Sequence, residues 1–384
     1  MKRHSLKGGL VFCSMIFLSV LSTKAQTDNI NIVTTAVPFL RINPDARGGG
    51  MGDVGIANSA DVNSSFWNLA KTPFNKNYSG IGVTYTPWLK DLGLNDVYLA
   101  SLTGFHKLDD VQAISASVRY FSLGNIQFTD FAGNPLGSFK PKEFGIDLGY
   151  SRKLSEQLSI GVAFRYINSS LANGDPNNSG VIYKAGTSIA ADASVYYNGA
   201  DADGQGWSFG AALTNLGGKI GYTNDSRNKD FIPANLGLGV SYTNVFDEDS
   251  KISFSLDINK LLVPAAPTVV NIASIDSVNL ANYRSMSVFN SYGKSFGDGS
   301  NQLKSLQASV GAEYSYANQF MVRAGYYFED ASRGNRKYFS VGVGLKYSII
   351  GINFSYLVPG GSGVTRNPLS NTLRLGLNFD LDKD

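Results

Sequence analysis

Apolar residues recur at every second position from Tyr78 to the C-terminus, and this period restricts the fold more than any other feature. In residues 252–258, for example, isoleucine, phenylalanine and leucine alternate with serine and aspartate. A period of two places neighbouring side chains on opposite faces of a β-strand, whereas a helix would repeat after 3.6 residues. About fourteen such runs follow one another. The chain is therefore predicted to be all-β.

Most of these runs pair one apolar row with one row of small, polar or charged residues. This pattern is typical of a transmembrane strand with a lipid face and a polar lumenal face. A soluble β-sandwich also alternates, because its inner row packs against a second sheet. Many runs approach the length of about ten residues that crosses a membrane at a tilt. We therefore predict a transmembrane antiparallel β-barrel of about 14 strands in an outer membrane.

The connections between the runs alternate in length. The long ones include 86–97, 123–142, 215–231 and 261–303, and the short ones include 107–110 and 317–318. Outer-membrane barrels have short periplasmic turns and longer extracellular loops. This order predicts that the barrel begins on the periplasmic side and that its longest loop lies outside the cell.

Composition agrees with this fold. Only 16% of the residues are charged, 12% are aromatic and 42 are glycine, which is unlike a coiled coil or a helical bundle. A mean hydropathy of −0.08, with no second long apolar run, excludes a helical membrane protein.

The N-terminus, Met1–Ala25, has the three parts of a secretory signal peptide. A basic start is followed by the apolar run from Gly8 to Leu21, and Thr23 and Ala25 are small residues before a cleavage site. The predicted organisation is thus a signal peptide at 1–25, a hatch at 26–76 and a barrel at 77–384.

Removal of that peptide leaves few reactive side chains. The single cysteine, Cys13, and one of the two histidines lie within it, so His106 remains alone in a short polar turn. Neither a thiolate nucleophile nor a multi-histidine metal site is then available. The peptide also contains four of the 33 basic residues and no acidic one. We expect no cofactor, no metal and no nucleic-acid partner.

Residues 26–76 differ from the rest because they do not alternate. Their glycine-rich centre predicts a compact hatch inside the barrel, where Asp45, Arg47 and Asp53 would pair with lumenal charges. Residues 50–55, GMGDVG, also match a dinucleotide fingerprint. The strand before it and the βαβ unit around it are missing, so the match is attributed to tight backbone packing.

The hatch carries a family resemblance. Residues 37–53 read VPFLRINPDARGGGMGD, and this string closely resembles the PorV family, outer-membrane proteins of the type IX secretion system of Bacteroidetes. The family is part of the broader group of FadL-like barrels with an N-terminal hatch. The hatch motif comprises Arg41, Asn43, Pro44, Asp45, Arg47, Gly50, Gly52 and Asp53.

The resemblance implies a non-enzymatic role in the outer membrane. PorV-like proteins bind the C-terminal β-sandwich signal domain of cargo that has crossed the type IX translocon barrel. They carry it to an attachment complex that contains a sortase. The implied partners are thus the translocon, the cargo, the attachment complex and outer-membrane lipid. The alternative is FadL-like transport of small hydrophobic compounds.

The cargo contacts are predicted in the outer loops. The loop at 261–303 opens with an apolar, proline-punctuated segment that is costly to expose to water. The candidate contact residues are Tyr222, Phe231, Leu261, Leu262 and Val263. The same segment could instead fold over the mouth of the barrel.

Overall fold

The computed structural model describes residues 32–90, 93–129, 132–175, 180–225, 228–297, 302–358 and 371–381. The predicted signal peptide and the first residues of the predicted hatch lie outside this part of the chain.

The described residues form a closed antiparallel barrel of fourteen strands and a separate two-stranded hairpin. In chain order the strands are β1 (Ser79–Pro87), β2 (Val97–Lys107), β3 (Gln112–Leu123), β4 (Ile126–Thr129), β5 (Pro135–Phe139), β6 (Lys142–Lys153), β7 (Leu158–Ser170), β8 (Gly186–Asn198), β9 (Gly206–Gly217), β10 (Asn235–Val245), β11 (Ser250–Leu261), β12 (Leu306–Tyr316), β13 (Phe320–Glu329), β14 (Lys337–Tyr347), β15 (Ile350–Val358) and β16 (Leu373–Leu381). The prediction of a fourteen-stranded barrel is confirmed.

The barrel closes between its first and last strands. β1 pairs with β16 over seven consecutive positions, from Ser79 opposite Leu381 to Tyr85 opposite Leu375. On its other side β1 pairs with β2. Every backbone donor and acceptor along these edges therefore has a neighbouring strand, as a membrane requires.

The alternation of the sequence becomes an outer and an inner wall. Along β14, Phe339, Val341 and Val343 are exposed on the outside, while Ser340 is buried on the lumenal side. The outer row thus suits lipid, and the inner row holds polar groups that contact the hatch.

Two long connections contain regular structure that the alternation does not predict. Between β3 and β6, β4 and β5 form the small hairpin. Between β11 and β12 lie two helices, α3 (Ala273–Ser285) and α4 (Val288–Lys294). None of the helices in the described residues is long and apolar enough to cross a membrane.

The segment before β1 fills the lumen with short elements. They are a 3-10 turn at Pro38–Arg41, α1 (Ala46–Gly49), α2 (Ser64–Trp67) and a 3-10 segment at Leu69–Phe74. The last of these packs against β6, β7 and β8, and α1 packs against β14, β15 and β16 across the lumen. The segment therefore braces opposite walls of the barrel.

Candidate functional site: the hatch and the outer loops

Asp45 holds the centre of the hatch together. Its carboxylate accepts hydrogen bonds from the backbone nitrogens of Arg47 and Gly48, at 2.8 and 2.9 Å, and so caps α1. It also accepts from Asn63 Nδ2 at 3.1 Å and from Trp67 Nε1 at 3.0 Å. The predicted pairing with a lumenal charge is therefore wrong for Asp45, because uncharged hatch donors surround it.

Arg47 pairs with a charge on the barrel wall, as predicted. Its Nε and Nη2 lie 2.9 and 2.7 Å from the two carboxylate oxygens of Glu313 on β12, a bidentate arrangement. Its Nη1 reaches Asp61 Oδ2 at 3.0 Å. Glu313 also accepts from Arg323 Nε at 2.6 Å. One buried carboxylate thus connects the hatch to two wall strands.

Asp53 makes the second predicted link between hatch and wall. Its Oδ1 lies 2.5 Å from Nη1 of Arg374 on β16, and the two side chains form an ion pair. Its Oδ2 accepts a hydrogen bond from the hydroxyl of Tyr338 on β14. Arg374 is almost fully buried, and a buried guanidinium needs such a partner. The two links join the hatch to strands on either side of β14.

The glycines of the motif allow the hatch backbone to approach the wall closely. Gly52 has a φ of +73°, and a Cβ there would lie 2.6 Å from the backbone nitrogen of Tyr326. At Gly50 a Cβ would lie 3.0 Å from Gly342 Cα. A side chain at either position would push the hatch away from the wall.

The remaining motif residues form the floor of a lumenal cavity. Arg41 Nη2 lies 3.5 Å from Glu329 Oε1 on β13, and Asn43 Oδ1 accepts from the Asp45 nitrogen at 3.5 Å. With Pro44 they line a cavity of ≈ 160 Å³, whose other lining residues include Arg119, Arg336 and Arg374.

The five predicted loop residues lie close to the mouth of the barrel, where four are buried and Tyr222 is partly buried. Phe231, Leu261 and Val263 pack together against Val33 of the N-terminal segment. Leu262 is buried as well. Their apolar character is explained by this packing, so they do not form an exposed surface in this structure.

Tyr222 also faces inward. Its hydroxyl lies 3.0 Å from Ser169 Oγ, and its ring packs against the apolar cluster around Phe39 and Trp88. Burial raises the pKa of the Tyr222 hydroxyl to about 12. It stays protonated at neutral pH and acts as a structural hydrogen-bonding group.

The exposed apolar residues of the long loop lie further along the chain, in and around α3 and α4. Phe289 is 83% exposed, Leu303 75% and Val269 67%. The remaining exposed members are Val270, Ile272, Ile275, Val278, Leu280 and Phe296. Sequence reasoning stopped at the opening of this loop, although the apolar residues at 275 and 278, spaced as on one helix face, were a usable signal.

In the part of the chain that the structure describes, no group of three or more His, Cys, Asp and Glu side chains is placed to hold a metal ion.

The family of the chain follows from its sequence. Residues 24–268 match the family model for the type IX secretion system protein PorV. The chain belongs to the PorV family. It is thus an outer-membrane component of type IX secretion. No curated protein matches the chain.

The fold of this PorV-family barrel is similar to that of solved transporters. The toluene transporter TbuX of Ralstonia pickettii matches with a TM-score of 0.51 and 10% identity, over 88% of this chain and 98% of that chain. The toluene transporter TodX of P. putida matches with a TM-score of 0.51 and 11% identity, over 87% of this chain and 100% of that chain. At these identities the likeness shows the fold alone. The family indicates a role in type IX secretion.

Proposed function

We propose that this barrel is a non-enzymatic shuttle. It binds the C-terminal β-sandwich signal domain of exported cargo at the type IX translocon barrel. It then carries the cargo to the sortase-containing attachment complex. Membership of the PorV family supports the secretion role, and the exposed apolar side chains of the long outer loop are the observation that carries the cargo-binding role.

The loop is suited to binding because its apolar side chains are left in water. In α3 no residue is buried, and Phe289 of α4 is among the most exposed large side chains of the chain. Exposed apolar groups that cluster at one place on a surface are typical of protein interaction sites. Because long loops lie outside the cell in such barrels, this surface would meet cargo after translocation.

The rest of the barrel supplies a rigid platform for that loop. The hatch braces the wall from within through Arg47–Glu313 and Asp53–Arg374. A shuttle needs no open channel, and a filled lumen is compatible with that requirement.

The proposal is tested by removing apolar groups from the exposed loop surface. We expect the triple substitution Val278→Ser, Phe289→Ser and Leu303→Ser to reduce the amount of cargo that co-purifies with the tagged barrel from its outer membrane. The matched control is Phe246→Ser, because Phe246 is 62% exposed but lies in the short turn between β10 and β11 at the opposite end. Unchanged cargo in the triple variant would contradict the assignment.

Serine substitution of Leu261, Leu262 and Val263 is a weaker test of contact. Because these side chains are buried, the substitution would disturb packing at the mouth as well as any cargo site. Their role as cargo contacts remains a prediction. A loss of cargo in this variant counts as evidence for it only where the barrel is shown to be folded.

Transport of small hydrophobic compounds is the alternative function. The cavity above the hatch is lined by Arg41, Arg119, Arg336 and Arg374, which makes it a poor route for a hydrocarbon. Deletion of residues 43–52 separates the two functions. Loss of hydrocarbon uptake with cargo binding retained would favour the transporter.

A further inference from the structure

The outer wall of the barrel has a large apolar concavity on its lipid-facing side. It measures ≈ 710 Å³ and extends over β1, β2, β3 and β6. Ile81, Leu102, Val118 and Leu148 are among its lining residues, and all four are exposed on the outside. It is distinct from the lumenal cavity above the hatch.

The concavity has a clear cause in the strand register. One row of paired positions across the wall reads Phe379, Ile81, Gly104, Ala116, Leu148 and Phe164. The two central members have little or no side chain, whereas those on either side are large. The neighbouring row on the same face has Leu102 opposite Val118. Gly104 and Ala116 therefore form the floor of a groove with large apolar walls.

The floor is open to the membrane and closed to the lumen. A Cβ placed on Gly104 would meet nothing closer than the Gly80 carbonyl oxygen, at 3.4 Å. Behind the floor, β2 and β3 stay paired without interruption from Val97 opposite Leu123 to Lys107 opposite Ala113. A molecule in the groove would thus come from the bilayer.

We propose that the groove binds one acyl chain of a glycerophospholipid from the periplasmic leaflet. The groove is continuous with the lipid-facing band of an outer-membrane barrel, and its wall residue Leu148 is 63% exposed there. Unfilled space beside apolar side chains forfeits dispersion contacts. Neighbouring strands are about 4.8 Å apart, so a floor of two strands accommodates a hydrocarbon chain.

The position of the groove along the strands selects the leaflet. Gly104 lies three residues before the end of β2, about 10 Å along the strand from the short-turn end. His106 lies two residues closer to that end and is exposed, with its Nδ1 2.7 Å from Ser79 Oγ. Nearby, the Tyr150 hydroxyl donates to Gln112. These polar groups lie where the ester and phosphate groups of a periplasmic-leaflet lipid would be.

The proposal is tested by counting lipids on the purified barrel. The full chain is extracted from its native outer membrane in a mild detergent, and retained phospholipid is measured by native mass spectrometry and by lipid extraction. We expect one retained phospholipid per wild-type barrel. We expect its loss in Ala116→Leu and in Gly104→Leu, because either leucine fills the floor.

The matched control is Ala324→Leu. Ala324 is an exposed alanine on β13 that pairs with Ala312, away from the groove. Retention of the lipid in this variant, with loss in the two groove variants, supports the proposal. A wild-type barrel without phospholipid, equal retention in all variants, or a lipopolysaccharide or protein in the groove would each overturn it. The migration of unheated protein in SDS gels verifies that every variant is folded.

Discussion

Met51 of the hatch lies against Gly311 and Gly325 of the barrel wall. Because neither glycine has a side chain, the hatch backbone can approach the wall closely at this point. A Cβ on Gly325 of β13 would lie 2.0 Å from the carbonyl carbon of Met51, and one on Gly311 would lie 2.3 Å from its oxygen. Contacts this short are not tolerated, so the hatch backbone would have to move.

We therefore expect Gly325→Ala to lower the free energy of unfolding by about 1–3 kcal/mol, the usual cost of overpacking a tight interior. Gly351→Ala is the control, because its Cβ would meet nothing closer than Asn378 Cβ at 3.6 Å. Urea titration of the barrel in lipid vesicles measures both. Equal midpoints for the two variants would mean that the hatch does not depend on this contact.

The ion pair of Arg47 and Glu313 gives a second prediction at this scale. Arg47→Met removes two charge-assisted hydrogen bonds from a carboxylate that is 10% exposed. We expect a loss of about 3 kcal/mol. The double variant Arg47→Met, Glu313→Gln should lose more, because it also removes the carboxylate that pairs with the buried Arg323.

The more exposed pair of Lys346 and Asp380 serves as the comparison. Lys346→Met should cost less than about 1 kcal/mol, because exposed pairs contribute little. If Lys346→Met and Arg47→Met lowered the free energy of unfolding by similar amounts, burial would not be what makes the Arg47–Glu313 pair strong.

Tyr283 is one of the side chains that anchor the helices of the long loop to the mouth of the barrel. Tyr283 of α3 donates its hydroxyl to the Pro264 carbonyl at 3.0 Å and packs its ring edge-on against Phe231, with centroids 5.4 Å apart. We expect Tyr283→Ala to speed tryptic cleavage after Arg284 without changing the unfolding midpoint of the barrel. Phe289→Ala, which removes an equally large but exposed ring, should leave the cleavage rate unchanged. Cleavage at the wild-type rate in Tyr283→Ala would contradict this anchoring.

The strands were predictable from the sequence and the elements between them were not. Because membrane lipid requires an apolar outer row, a run such as residues 252–258 shows the alternation of a strand in its own sequence. The helix α3 has no buried residue. Ile275 and Val278 lie on one face of it, but two residues do not make the broad apolar face from which a helix is usually recognised.

The partners of the hatch residues could not be predicted from the sequence either, but for a different reason. The predicted pairing of Arg47 was right in kind, but its partner Glu313 is 266 residues away in sequence, and nothing local identifies it. Asp45 was predicted to pair with a charge because buried carboxylates usually do. The four donors that satisfy it lie within the hatch itself.

On the scale of the whole molecule, a disulfide across the seam between β1 and β16 would test whether the barrel opens during function. Val83 and Leu377 face each other across this seam, and the sequence has one cysteine, inside the predicted signal peptide. A cysteine pair at these positions should form a disulfide that leaves cargo co-purification unchanged. The control pair joins Val83 to Leu102 on β2. Loss of cargo with the seam pair alone would show that the strands separate.

The hatch precedes every strand in the chain, yet it contacts strands from both halves of the barrel. The barrel thus closes around the hatch that precedes it in the chain. We expect the hatch to lie inside before β16 pairs with β1, because a late hatch could enter only end-first through the mouth of the closed barrel. A chain that closed first would leave Glu313 and Arg374 on the inner wall without their partners in the hatch.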